Sequence, residues 1–177
     1  DMNHLKNTCL RLASIADAEK IASVHAISWQ KMYHDFIPED ILDRFSFSER
    51  LHKWEYLLSA GVTVILAEEL DRTVGFVSIC PLRNALPQHK HFGEISAIYV
   101  HPDYWRQGIG RQLCLAALNQ LKKQDFVSVA LWVLEANILA RNFYEALGFT
   151  ASNHTKLEEF YEGSALLKEI LYYKSLF

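Results

Sequence analysis

The sequence predicts an α/β fold whose sheet is mixed and rich in hairpins. Two period-two apolar runs, Val62–Glu68 and Val74–Cys80, flank a tight turn at Asp71-Arg72-Thr73 and read as a pair of strands. Several segments carry apolar residues three and four apart with capping residues at their ends, the pattern of amphipathic helices. The continuous apolar run Phe126–Leu134 reads as a strand buried on both faces. Strands and helices do not alternate strictly, which argues against a wholly parallel sheet.

Each element follows in order. Thr8-Cys9-Leu10-Arg11-Leu12 alternates and forms the first strand. Ser14-Ile15-Ala16-Asp17 has the form of a capping box, in which the carboxylate reaches back to the amide of the cap. The helix it opens carries Ile21, Val24, His25, Ser28 and Trp29 at helical spacing. Pro38 suits the first turn of a short second helix, where a missing N–H costs nothing. Ser46-Phe47-Ser48-Glu49 opens a third helix, running through Trp54 to about Leu58. The hairpin comes after Gly61, and Pro81–Lys90, with two prolines, reads as a loop. Glu94–Val100 is strand again, closed by His101-Pro102. A Gly-containing turn then leads into a helix with Ile109, Leu113, Ala116, Ala117 and Leu121 on one face. Asn137 caps the last helix, which runs to about Leu147 with Gly148 as its stop. Strands around Phe149–His154 and Leu166–Tyr172 complete the pattern.

Composition narrows the functional classes. The 177 residues fit one domain spanning 1–177. Half are hydrophobic, which supplies a sizeable core and excludes intrinsic disorder. With 18 Lys and Arg against 21 Asp and Glu, the net charge of −3 excludes the basic footprint of a nucleic-acid partner. Cys9, Cys80 and Cys114 are too few and too scattered for a disulfide framework, and no Cys/His spacing predicts a metal site. No apolar run reaches the ~18 residues of a membrane helix, and the first residues lack a secretory apolar stretch. A cytoplasmic protein with no membrane partner is the expectation.

The chemistry is concentrated in Tyr99-Val100-His101-Pro102-Asp103-Tyr104-Trp105-Arg106-Gln107-Gly108-Ile109-Gly110-Arg111. This segment passes from strand to loop to helix with two glycines at the helix entrance. Glycine there lets an anion approach the backbone, and the first helical turn offers unpaired N–H groups and the positive end of the helix dipole. A pyrophosphate suits such a site, with Arg106 and Arg111 at its margins. The common nucleotide motifs do not match: GxGxxG would need a third glycine at Leu113, and GxxxxGK[ST] is absent.

A second segment carries Asn137, Ala140, Phe143, Tyr144, Glu145, Leu147, Gly148 and Phe149, the pattern NxxAxxFYExLGF. Together the two segments resemble the GNAT superfamily of N-acetyltransferases, with Arg106-Gln107-Gly108-Ile109-Gly110 in the place of its pyrophosphate loop. The resemblance covers Glu94 to Phe149 with both motifs in the family's order. It implies a mostly antiparallel central sheet, flanked by helices, with one parallel strand pair splayed open to admit acetyl-CoA. Here that pair would be Glu94–Val100 and Phe126–Leu134. Backbone groups of Ile98, Tyr99 and Val100 would meet the pantetheine, and amides from Arg106 through Arg111 (Gln107, Gly108, Ile109 and Gly110 between them) would hold the pyrophosphate. The side chain of Asn137 would contact the cofactor, and Tyr144 would lie near the sulfur and protonate the leaving thiolate. One position departs from the family: Trp105 stands where its loop begins with Gln or Arg.

An ammonium has no lone pair, so an amine acceptor must lose a proton before attacking a thioester, directly to a base or through one water. Glu94, at the start of the strand leading to the cofactor, is the candidate base; its other reading is a carboxylate at a strand end with no role. His91 and His101 are weaker candidates, and His101 before Pro102 reads as a turn residue. Tyr144, read without the family, is a core aromatic at helical spacing like Phe143 beside it. Asn137 can be a helix cap and a cofactor contact at once. The thiols of Cys80 and Cys114 read as packed, so direct transfer in a ternary complex is expected.

Trp29 and Tyr33, four apart on the first helix, are either core or one wall of the acceptor pocket. The segment SWxxxY followed by Ile37-Pro38 looks similar to bacterial polyamine acetyltransferases. Asp35, Glu39, Asp40 and Asp43 follow it, and Glu158, Glu159 and Glu162 gather near the C-terminus; these carboxylates either receive a cation or form a solvated surface. A small-molecule amine is the expected acceptor. A protein or peptide N-acetyltransferase and a non-catalytic acyl-CoA-binding regulator are the alternatives. The Leu- and Tyr-rich strand from Leu166 to Tyr173 offers an edge for pairing in a homodimer.

Overall fold

The computed structural model describes residues 7–42, 47–160 and 165–177. Its strands are β1 (Thr8–Leu12), β2 (Thr63–Glu69), β3 (Arg72–Pro81), β4 (Phe92–Val100), β5 (Ser128–Leu134), β6 (Thr150–Phe160) and β7 (Ala165–Ser175). The helices are α1 (Ala18–Tyr33), α2 (Glu39–Leu42), α3 (Phe47–Ser59), α4 (Ile109–Lys123) and α5 (Ile138–Ala146). All seven strands belong to one sheet in the order β1-β2-β3-β4-β5-β7-β6. Neighbours are antiparallel except β4 and β5, which are parallel over three rungs only, Phe92–Ser128, Gly93–Val129 and Glu94–Ala130. Beyond Glu94 the two strands part.

A bulge prepares that parting. Ser78 faces Ala97 and Ile79 faces Ile95, so Ser96 is an extra residue in β4. A bulge twists its strand and resets which side chains share a face. Beyond it, Ala97 and Tyr99 join the core under α1 and α3. Ile98 and Val100 join Ile95 in the core under α4 and α5.

Both faces are covered by apolar stripes at helical spacing. Ile109, Leu113, Ala117 and Leu121 of α4 are fully buried against Val77, Ile79 and Ile95. On the opposite face Ile21 and Val24 of α1 and Trp54 of α3 pack on Leu66 and Phe76. Each fully buried side chain of this size contributes roughly 1.5–3 kcal/mol of transfer free energy. Helix α4 lies so close to β4 that a Cβ added at Gly93 would stand 2.6 Å from Leu121 Cδ2 and 3.3 Å from the Phe126 ring.

The capping carboxylate forms as expected and does more than cap. Asp17 accepts from the Ser14 amide at 2.8 Å and from both Arg11 terminal nitrogens at 2.8 and 2.9 Å, tying β1 to the start of α1. The box opens a 3-10 turn (Ile15–Asp17) that runs directly into α1. The Arg11 guanidinium holds the Asp17 carboxyl well below the usual carboxylate range.

Three expectations need correction. The loop Pro81–Lys90 is partly ordered: β3 extends to Pro81 and a 3-10 turn spans Pro87–His89. Strand β6 is eleven residues long rather than ending at His154. Its ladder with β7 shifts register between Ala151 and Thr155, and its outer positions are polar, so period-two burial left no signal there. Strand β7 is no edge: it lies between β5 and β6 with both sides hydrogen-bonded, so it cannot pair with a second copy. Asp43, Ser46 and Glu162 lie outside the described residues. Among those described, no helix is long and apolar enough to cross a membrane.

Candidate active site

The parting of β4 and β5 opens a cleft continuous with solvent. Ile95 to Tyr99 line one wall and Leu131 to Leu134 the other, while Met32 and Tyr33 of α1 and Asn137, Ala140 and Tyr144 of α5 complete it.

Backbone direction in the β4 wall follows from the ladder. The His101 amide donates to the Val74 carbonyl at 2.8 Å. In an antiparallel pair the inward and outward groups alternate, so Ala97 and Tyr99 turn their backbone toward β3. Ile98 and Val100 turn theirs toward the gap. The Val100 carbonyl is already occupied, accepting from the Trp105 indole at 2.6 Å and the Ser28 hydroxyl at 3.0 Å. The groups left for a ligand are the amide and carbonyl of Ile98 and the amide of Val100. Tyr99 offers its ring, not its backbone.

The loop beyond β4 is held in an unusual backbone path. His101 Nδ1 accepts from the Asp103 amide at 3.1 Å, which caps the 3-10 turn Pro102–Tyr104. Arg106 and Gly108 both have left-handed φ, 62° and 83°, a region that costs a non-glycine residue about 1–2 kcal/mol. The first helical bond of α4 runs from the Gln112 amide to the Gly108 carbonyl at 3.1 Å. The amides before it therefore point out of the helix end without helical partners. Arg106 and Arg111 are exposed on either side, and Gln107 keeps a buried Oε1 with no hydrogen-bond partner. This arrangement fits a diphosphate: amides at its centre, cations at its rim.

Asn137 caps α5 by accepting from the Ala140 amide at 3.1 Å and also lines the cleft. Tyr144 faces the cleft while its ring meets Phe143 and Phe149 edge-on, with centroids 5.2 and 5.8 Å away. Burial pushes its hydroxyl well above the usual phenol range, so it keeps its proton at neutral pH.

Glu94 sits on the last parallel rung, 1% exposed, at the floor of the opening. Its Oε1 accepts from the Arg83 amide and Nε, both at 3.1 Å, and its Oε2 from Arg83 Nη2 at 2.6 Å. Trp29 and Tyr33 stack at 4.7 Å but differ in setting. Trp29 is core, packed with Ile37, Ile41 and Leu42 beneath Arg50, whereas Tyr33 forms cleft wall. Burial pushes the Tyr99 hydroxyl up to about 12.

Other buried titratable groups are structural. His25 accepts from the Trp54 indole at 3.0 Å, and burial pushes it down to about 2. Burial raises both the Cys80 and Cys114 thiols, the latter to about 11, the wrong direction for a nucleophilic thiolate. Sequence reasoning missed Arg83, which lies in the stretch read as a loop. It also missed Glu169 of β7, a buried carboxyl pushed up to about 8 by burial and then by Glu158. The available signal was an acid between Leu167 and Leu171 on an inward-facing strand position.

Similarity to other proteins agrees with this geometry. Residues 27–149 match the acetyltransferase (GNAT) family. The uncharacterized N-acetyltransferase YuaI of Bacillus subtilis is 36% identical over 128 residues, covering 72% of this chain and 72% of that protein. A spermidine N(1)-acetyltransferase of Thermoplasma acidophilum is 26% identical over 146 residues, covering 79% and 86%. Among solved structures, the PaiA N-acetyltransferase of Thermoplasma acidophilum in complex with coenzyme A superposes with a TM-score of 0.70 at 21% identity, over 95% of this chain and 98% of that one. YncA of Salmonella typhimurium, solved with its cofactor acetyl-CoA, gives 0.73 at 20% identity, over 97% and 95%. The family match runs unbroken from α1 through the parted strands, the loop and α5, and this chain belongs to the acetyltransferase (GNAT) family as an N-acetyltransferase.

Proposed function

We propose that this enzyme, acting in the cytoplasm as a single domain, moves an acetyl group from acetyl-CoA to a primary amine of a small molecule by direct attack with both substrates bound. The observation that carries the reading is the open strand pair, with free backbone groups on its β4 wall and the amide-lined start of α4 at its mouth. Bound there, acetyl-CoA supplies a thioester activated for transfer. Ile98 and Val100 orient the chain of that ligand along β4, and the amides between Arg106 and Arg111 take its diphosphate. Asn137 adds a side-chain contact from the start of α5. Tyr144 holds a proton at neutral pH and gives it to the sulfur as the carbon–sulfur bond breaks. Glu94, at the floor of the cleft, takes the amine's proton through one water. Tyr33, backed by Trp29, shapes the acceptor wall.

A small acceptor is favoured over an extended peptide because that side of the cleft is bridged. Leu167 of β7 packs into the cluster of Trp29, Ile37, Ile41 and Leu42, with Phe36 against it. A peptide would need a continuous groove there. The spermidine-acetylating relative supports the same class of acceptor.

The test is thiol release from acetyl-CoA against polyamines, aminoglycosides, amino acids and short peptides, with enzyme-only controls for the protein's own three cysteines. Turnover with small amines is expected. Turnover with peptides alone would remove the small-molecule reading. Acetyl-CoA binding without turnover of any amine would favour an acyl-CoA-binding regulator.

A further inference from the structure

The carboxylate of Glu94 is clamped by one residue from the segment between β3 and β4. Its Oε1 accepts from the Arg83 amide and Nε, both at 3.1 Å, and its Oε2 from Arg83 Nη2 at 2.6 Å. A carboxylate offers about four lone-pair sites, two on each oxygen. Arg83 fills both sites of Oε1 and one of Oε2, and among the described residues no other donor meets either oxygen. The site left for a further hydrogen bond is therefore on Oε2. Ile95 and Ser96, the next residues of β4, line the cleft.

The clamp has a fixed root and an exposed head. The Leu82 amide donates to the Phe92 carbonyl at 3.0 Å, and the Leu82 side chain is buried with Ala130 and Leu171. The chain turns away just after Arg83, at Asn84 with φ 56°. The Glu94 side chain is 2% exposed against 62% for Arg83, so the guanidinium joins a buried carboxylate to the surface. Other titratable groups surround the pair without replacing the contact. Cys80 lies directly across from Glu94 on β3, and burial, then the Glu94 charge, raises its thiol. Lys53 of α3 feels Arg83, but burial is what chiefly lowers its affinity for a proton. Glu158 of β6 and Glu169 of β7 lie within range of the Arg83 charge, while the side-chain hydrogen bonds of the guanidinium go to Glu94.

We infer that Arg83 is a positioning residue for the base: its forked contact orients the Glu94 carboxylate and leaves Oε2 alone to meet the water that carries the amine's proton. This role rests on the reading of Glu94 as the base. The amine gives its proton to the water, the water gives one to Oε2, and that proton leaves to solvent after the acetyl group has moved. A guanidinium suits the task because its planar fork matches a carboxylate at two points, whereas an ammonium is a point charge.

The test is kcat/KM for thiol release from acetyl-CoA by the full chain, with spermidine or the fastest amine of the panel above, from about pH 9 down to about pH 6. Arg83→Gln changes a largely exposed side chain and should fold normally. It leaves a buried carboxylate without its cation, and such a carboxylate takes up a proton more readily. Its kcat/KM relative to wild type should therefore fall at least about tenfold across that range, the worth of one hydrogen bond to a charged group. The amine's own titration cancels in the ratio. Arg83→Lys keeps the charge but not the fork, so its ratio should be lowered equally at every pH. In a Glu94→Gln background Arg83→Gln should have no further effect, and the KM for acetyl-CoA should be unchanged throughout. A pH-independent ratio for Arg83→Gln, a falling one for Arg83→Lys, or losses that add to those of Glu94→Gln would each overturn the role of Arg83 and leave the base standing. Full turnover in Glu94→Gln alone would instead remove Glu94 as the base and the role of Arg83 with it, as would a wild type that acetylates no amine.

Discussion

On the α4 and α5 side of the sheet, the groups that face the cleft and its mouth are mainly backbone: the β4 edge at Ile98 and Val100 and the amides ahead of Gln112. On the α1 and α3 side they are side chains, Met32 and Tyr33 of α1 with the ring of Tyr99 from β4. Backbone groups are positioned by secondary structure itself and depend little on residue type. Side chains from distant segments are positioned only by packing, and each can change without disturbing the fold. The proposed function assigns the donor to the first side and the acceptor to the second.

The largest expected break in that comparison is Tyr144→Phe. It removes a proton donor from the donor side without emptying the ring's packing site. Turnover should fall by about 10²–10⁴, with acetyl-CoA affinity retained; an unchanged kcat would remove Tyr144 as the acid. Next comes Gly93→Val, which pushes a side chain into Leu121 and Phe126 and should cost about 1–3 kcal/mol of stability in urea unfolding. A variant as stable as wild type would mean that α4 is seated less tightly on β4 than the contacts indicate.

Trp105→Phe sharpens the contrast at the loop. It deletes the indole N–H donated to the Val100 carbonyl and leaves Ser28 on that oxygen. Acetyl-CoA affinity should weaken by up to about tenfold, the worth of one hydrogen bond, with the spermidine constant unmoved. Equal loss in both would show that the two sides are coupled through β4.

The smallest effect is on stability against pH, and its sign differs between two carboxyls. Glu169 has a raised pKa, so the folded state binds its proton more tightly than the unfolded chain. That contribution is complete below the ordinary carboxylate range and is lost as pH rises toward about 8. Asp17 is lowered by Arg11, so its contribution is present above the ordinary range and is lost as pH falls through and below it. Denaturation midpoints from about pH 5 to about pH 9 should decline in the wild type and flatten in Glu169→Gln. Parallel curves would mean that Glu169 titrates alike in both states.

Much of the fold was legible because its signals are local. The capping carboxylate of Asp17, the two strands around Asp71-Arg72-Thr73, the Asn137 cap and the positive-φ Gly148 each act within a few residues. Strand β6 was underestimated because it is an edge whose exposed residues carry no burial pattern. The residues of the loop before α4 and of α5 were contiguous in two motifs. Glu169 and Arg83 were not found, since an acid in a strand and an arginine after a proline acquire meaning only from what the sheet brings beside them.

By itself the sequence determined the α/β class, the order of the elements, the glycine-bearing start of α4 and the family resemblance, because propensities, caps and contiguous motifs are properties of short stretches of chain. Only the tertiary structure decided that β7 is an interior strand, that Tyr33 faces the cleft while Trp29 backs it, and that the Val100 carbonyl is closed by Trp105 and Ser28. It alone brought Glu158 and Glu169 together. Those outcomes depend on strand order, register and the Ser96 bulge, which are set by long-range pairing and burial that no local pattern encodes.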